Sequence, residues 1–194
     1  MRGRATSSGF VAPGLLKVVL DACVLVPMPL ADTLLRLAEL PPVYEARWTD
    51  EILGEVTRTL VGKFGRPPAK VAYRELRMRA SFPDAIVQGY EHLTSTMENH
   101  PKDRHVLAAA VRCEADYLVT LNLKDFPAKA VEKYAVQVVG PSAFLRQLWA
   151  INGIGVRERL REQTAGIGTP ITRLLDRLAE SVPAFVSEIR SEFD

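Results

Sequence analysis

The amino-acid sequence predicts a three-layer α/β/α fold, with a central, mostly parallel five-stranded sheet and a C-terminal helical extension. Three observations predict it. Short apolar strand-like runs alternate with amphipathic helical stretches over residues 15–140, the pattern of parallel strands joined by right-handed crossovers. No strand pattern remains after Pro141. A chain of 194 residues with 47% hydrophobic content is long enough to bury one core of ordinary size.

Each element follows in order. Residues 1–14, rich in Arg, Ser, Gly and Ala, read as a flexible arm. Within "KVVLDACVLVP", Val18 to Leu20 form the first strand, and Leu30 to Leu40 form a helix with Leu34, Leu37 and Ala38 turned inward. A second strand lies around Tyr44 to Trp48. In "TDEILGEVTRTL", Thr49 suits an N-cap, and Asp50 and Glu51 suit the positive end of the helix that follows. "RPP" opens another helix, which runs to about Ala80, because proline is tolerated in a first turn. "DAIVQGY" reads as the third strand. An Ala- and Val-rich helix then leads into the fourth strand at Tyr117 to Thr120, and "VQVVG" is the fifth. The tail from 141 to 194 carries Ile171, Leu174, Leu175, Leu178, Val182 and Phe185 at helical spacing, with Pro183 breaking the helix. Residues 15–140 thus form the α/β unit and 141–194 its extension.

Composition excludes several classes. A net charge of +2 makes the global field weak, so any nucleic-acid binding must come from local patches. Cys23 and Cys113 have neither metal-ligand spacing nor a disulfide framework, which fits a reduced cytoplasm. No stretch is apolar enough to cross a bilayer, and Lys17 and Asp21 interrupt the early apolar run, which argues against a signal peptide. Gly-x-Gly-x-x-Gly and Walker loops are absent. A dehalogenase-type phosphatase needs an acid where Cys23 stands.

The acids carry the chemistry. Ligands of open parallel sheets bind beyond the carboxyl ends of the strands. Asp21 ends the first strand and Asp125 follows the fourth, so both fall at that edge. Asp116 begins the fourth strand, about 13 Å from the far end at ~3.3 Å per residue, and is excluded. Asp103 opens a helix, where capping is the competing reading. Glu55 lies on the margin of the stripe Ile52, Leu53, Val56 and Leu60, where a solvated flank competes. Converging carboxylates repel unless a cation sits between them. Mg²⁺ or Mn²⁺ suits oxygen ligands and activates water toward phosphorus. Phosphodiester hydrolysis is the expected reaction.

From about Leu16 to Gly140 the chain resembles PIN-domain ribonucleases of the VapC toxin type. "VVLDACVL" resembles the family's opening strand and places Asp21 on its first acid. "WTDEILGEVTRTL" resembles its Glu-bearing helix, at Glu55. "KDRHVLAAAVRCEADYLVTLNLKDFP" places Asp103 on the next acid and "TLNLKDF" on the terminal motif. Many members carry Thr-Gly-Asp after the fourth strand, whereas this chain has Thr120, Leu121 and Asn122, then Asp125. Either Asn122 or Asp125 takes the fourth place, and Asp125 is preferred, with Thr120 and Asn122 supporting. The resemblance implies a Mg²⁺- or Mn²⁺-dependent endoribonuclease with catalytic Asp21, Glu55, Asp103 and Asp125, the metal on Asp21, Asp103 and Asp125. It further implies an RNA substrate, a cognate antitoxin and a homodimer. An RNA-processing nuclease outside a toxin pair, or an inactive PIN-like scaffold, are the alternatives.

Basic residues near these acids are the expected RNA contacts. Lys70, Arg74 and Arg77 share one helix face in "AKVAYRELRMRA", where a solvated face is the plainer reading, and Arg104 and His105 adjoin Asp103. His92, His100 and His105 lack metal-ligand spacing. "NGIGV" and "AGIGT" resemble helix-hairpin-helix turns, but glycine C-caps explain both. From residue 141 onward, acids and arginines are equal in number, which favours packing or partner binding over nucleic acid.

Overall fold

The computed structural model describes residues 14–193; the arm expected over residues 1–14 lies, except for Gly14, outside them. Strands β1 (Lys17–Leu20), β2 (Glu45–Arg47), β3 (Tyr117–Val119) and β4 (Gln137–Val139) form an all-parallel sheet in the order β2–β1–β3–β4. β1 is central, and Val18, Val19 and Leu20 are fully buried, as expected of a strand covered on both faces.

The sheet has four strands, not the expected five. Residues 84–90 contribute only a bridge, in which Trp48 N–H donates to Ala85 O at 2.9 Å and Val87 N–H donates to Trp48 O at 2.8 Å. The cause lies in the partner. Just past Trp48 the chain turns into a helix, leaving nothing for residue 88 onward to pair with, while Pro83 on the other side has no N–H to donate.

The helices follow the sequence closely. A short α1 (Ala22–Leu25) and α2 (Leu30–Ala38) lead to β2. Helix α3 (Asp50–Arg58) starts at Thr49, whose side chain accepts from the Ile52 N–H at 3.1 Å, and continues into a π-helical turn at Thr59–Lys63. Helices α4 (Pro68–Ser81) and α5 (Glu91–Thr94) precede a 3₁₀ turn, Pro101–Asp103, that opens α6 (Arg104–Arg112). A second 3₁₀ turn, Leu123–Asp125, and α7 (Ala128–Val131) link β3 to β4.

The tail forms α8 (Pro141–Ile167), α9 (Ile171–Ala179) and α10 (Pro183–Ile189). The glycine C-cap expected in "AGIGT" is present, with Gly168 at φ 61°. In "NGIGV" the arrangement differs. Asn152 leaves helical geometry (φ −145°, ψ 63°) and its Oδ1 accepts from the Gly155 N–H at 3.0 Å, so it restarts the helix as an N-cap. A Cβ on Gly155 would stand 2.6 Å from the Asn152 side chain, which explains that glycine.

The tail packs on the sheet side of the molecule. Phe144 and Tyr44 meet edge to face at 5.1 Å, and one apolar cluster runs from β1 through Val156, Leu160, Leu174 and Phe185. A buried polar tie joins α2 to α8: Thr33 Oγ1 donates to Gln163 Oε1 at 2.8 Å, and Gln163 Nε2 donates to Pro29 O at 3.2 Å. No helix among the described residues is long and apolar enough to cross a membrane.

Candidate active site

Asp21 and Thr120 meet because they follow neighbouring parallel strands. The ladder runs one residue past β1 and β3, with Asp21 N–H donating to Val119 O and Thr120 N–H to Val139 O, each at 3.1 Å. Thr120 Oγ1 then donates to Asp21 Oδ2 at 2.6 Å, and Cys23 Sγ donates to the same oxygen at 3.0 Å. Asp21 stands at the N-cap position of α1 yet makes no capping bond. Its Oδ2 is held, and Oδ1 takes no part in these bonds. Burial, and then the charge of Asp21, pushes the Cys23 thiol up to about 12, so it remains a protonated donor.

Asp103 arrives from another direction. Its N–H donates to His100 O, and the His100 N–H donates to Asp125 O, both at 2.9 Å, so backbone bonds lash the start of α6 to the turn after β3. Asp103 occupies the N-cap position of α6 without capping it. Asp21, Asp103 and Asp125 are only 3%, 6% and 7% exposed, and Oδ2 of Asp103 accepts no hydrogen bond. Lys102 Nζ lies 3.0 Å from Asp125 Oδ2 and 3.8 Å from Asp103 Oδ2, the only ion pairs of these three acids among the described residues. Burial pushes the Asp103 carboxyl up to about 6 against the opposing pull of Lys102, with Asp21 and Asp125 adding to the rise. Lys102 holds Asp125 below the usual carboxylate range, and the lysine is raised in return.

An open pocket of about 550 Å³ is lined by Asp21, Cys23, Asp103 and Asn122, with Glu55, Arg58 and Lys63 from the α3 side and Lys102 at the lip; Asp125 is not among its lining residues. Glu55 is therefore on the pocket wall rather than on a solvated flank. Behind it sits His105, buried, with Nε2 3.4 Å from Glu55 Oε1 and Nδ1 3.7 Å from Glu51 Oε2. Burial alone works against a charged His105, but Glu55 and Glu51 outweigh it and raise the ring above its ordinary value.

The expected RNA-contacting residues are dispersed. His105 is too buried to meet a phosphate in the pocket mouth, and Arg104 Nε donates to Asn99 O at 3.4 Å. Arg74 is drawn in to donate to Leu25 O at 2.5 Å, with burial lowering it from its usual value and Asp32 opposing. Arg77 lies outside both pockets, whereas Lys70 and Arg74 line a second groove of about 510 Å³ with Phe64, Arg66 and Arg177. That groove shares Val26, Pro27 and Phe64 with the acidic pocket. The sequence carries no motif that marks Lys102 or Cys23 as site residues. Lys102 adjoins Asp103 and Cys23 stands two residues past Asp21, which is the only signal the sequence offers for them.

No family model and no solved structure matches the chain. A curated protein of Mycobacterium tuberculosis (strain ATCC 25618 / H37Rv), "Putative ribonuclease VapC50", is 38% identical over 149 residues, covering 72% of this chain and 88% of the relative. The chain belongs to the VapC-type PIN ribonucleases. The parallel sheet flanked by helices agrees with the PIN-like fold, and the acids that carry the resemblance to that family, Asp21, Glu55, Asp103 and Asp125, gather at the carboxyl edge of the sheet.

Proposed function

We propose that this VapC-type protein is an endoribonuclease that hydrolyses RNA phosphodiester bonds with the help of Mg²⁺ or Mn²⁺, and that it is the toxin of a toxin–antitoxin pair. One observation carries the reading: three carboxylates, each more than nine-tenths buried, converge at the sheet edge, with Asp103 Oδ2 accepting no hydrogen bond and, among the described residues, only the exposed Lys102 paired with them. Such a set is costly alone and suits a hard divalent ion, so the residues present fit the group. Asp21, Asp103 and Asp125 are its holders in this reading. When bound, such an ion supplies an activated water and charge to stabilise the leaving oxygen.

The chain's own residues do the rest. Thr120 and Cys23 fix one oxygen of Asp21, so that carboxylate offers the other in a set direction. Glu55, part-exposed on the pocket wall, accepts the proton of the attacking water at its carboxylate, and His105 positions it. Arg58, Lys63 and Lys102 line the same pocket and bind the phosphate chain. Asn122, whose N–H donates to Thr120 Oγ1 at 3.0 Å, supports the opposite lip. The strand continues along the groove of Phe64, Arg66, Lys70, Arg74 and Arg177, where an exposed ring and four cations suit a base and its phosphates.

In this reading residues 15–140 are the nuclease unit and 141–194 its extension, the partners are RNA, a cognate antitoxin and a second copy, and the compartment is the cytoplasm. Induced expression of the chain in a bacterial host tests it. Growth arrest that disappears in Asp21→Asn, at equal protein level, supports the toxin. Arrest that persists in that variant points instead to a scaffold acting by binding.

A further inference from the structure

The carboxylates do not stand alone. A ring nitrogen of His100 and one carboxylate oxygen each from Asp103 and Asp125 lie within 4.8 Å of one another. An octahedral ion with bonds of about 2.1 Å keeps its ligands about 3 to 4 Å apart, so these three donors close onto one ion with shifts of about an ångström. Their backbones are already fixed for it: His100 N–H donates to Asp125 O and His100 O accepts from the Asp103 N–H. The imidazole itself is exposed, and its Nδ1 has one long bond, 3.4 Å from the Lys102 N–H, so little holds the ring away.

A second observation points to a ligand at this place. Asp103 is buried, and its Oδ2 accepts no hydrogen bond, with the nearest cation, Lys102 Nζ, 3.8 Å away. Lys102 provides the nearby charge, paired with Asp125 Oδ2 at 3.0 Å, with its side chain 54% exposed on the pocket wall.

We propose that His100 is a ligand of the divalent ion, completing with Asp103 and Asp125 a mixed nitrogen and oxygen site that favours Mn²⁺ over Mg²⁺. The inference rests on the metal reading given above and sharpens it. Imidazole nitrogen suits first-row transition ions, whereas Mg²⁺ prefers an all-oxygen shell. The ligand set therefore sets the choice of ion.

Pulsed electron paramagnetic resonance of Mn²⁺ bound to the full chain tests this directly, alongside calorimetric titration with Mn²⁺ and with Mg²⁺. The expected result is a ¹⁴N coupling in the wild type that His100→Ala abolishes, a Mn²⁺ affinity about 10- to 100-fold lower in that variant, and a Mg²⁺ affinity nearly unchanged. The exposed position of His100 leaves the fold intact, which thermal unfolding of the variant checks. Mn²⁺ bound with no ¹⁴N coupling in the wild type, and lost in Asp125→Asn, would overturn the role of His100 while leaving the carboxylate site standing. A ¹⁴N coupling that survives in His100→Ala would assign the nitrogen elsewhere and overturn it too. A wild type that binds no Mn²⁺ overturns the inference together with the metal reading beneath it.

Discussion

Replacing Asp103 with asparagine is expected to stabilise the metal-free protein. The Asp103 carboxyl is raised from 3.8 to about 6, because folding buries it near Asp21 and Asp125. A folded value above the unfolded one means that ionisation is penalised in the native state. The penalty is absent below the unfolded value, builds as pH rises through about 6, and is complete above that. A shift of this size is worth about 3 kcal/mol at 1.36 kcal/mol per pH unit, reduced to about 2 by solvent in the open pocket. Asparagine removes the charge, keeps the shape, and can donate to Asp125. Urea unfolding in EDTA at pH 8 should then show Asp103→Asn more stable than wild type by about 2 kcal/mol, with the gap closing by pH 4. Saturating Mn²⁺ should reverse the order, since only the wild type retains the full ligand set and gains from binding. An Asp103→Asn protein that is less stable in EDTA at pH 8 would refute the reasoning.

Three further outcomes follow from the same geometry. Thr120→Val removes the 2.6 Å donor to Asp21 Oδ2, and is expected to cost about 2 kcal/mol in urea unfolding and about 10- to 100-fold in Mn²⁺ affinity, both restored by Thr120→Ser. Gln163→Ala breaks the buried tie between α2 and α8 and is expected to cost about 2 to 3 kcal/mol, read as a lower urea midpoint, with the activity of the folded fraction unchanged. In EDTA at pH 8.5, Cys23 should react with iodoacetamide about a thousandfold more slowly than free cysteine, because its thiol lies near 12; peptide mass spectrometry gives the rate, and labelling as fast as in urea would contradict it.

Local patterning made much of this fold legible. Thr49 caps α3 as its side chain and the following acids foretell, Pro183 divides the last helices, and the apolar runs of β1 and β3 are the most buried strands. The third strand misled because its apolar run reports burial, which Ala85 and Val87 do have, and not the presence of a neighbour to pair with. Asp21 and Thr120 could be brought together from sequence, since both end strands of one parallel sheet. The approach of His100 to Asp125 could not. It depends on a backbone bond between segments 25 residues apart, for which no local pattern exists. Likewise Arg74 has the spacing of a solvated face, yet the carbonyl of Leu25 draws it inward, a contact that only tertiary packing decides.

The most direct test of the central claim is cleavage of a labelled single-stranded RNA pool by the purified full chain, with Mn²⁺, with Mg²⁺, and with EDTA, followed by analysis of the product ends. The account predicts cleavage only with a divalent ion, no 2′,3′-cyclic phosphate on the products because water rather than the ribose hydroxyl attacks, and loss of cleavage in the Asp21→Asn, Asp103→Asn double variant. Cleavage that persists in EDTA, or that survives the double variant, would contradict it.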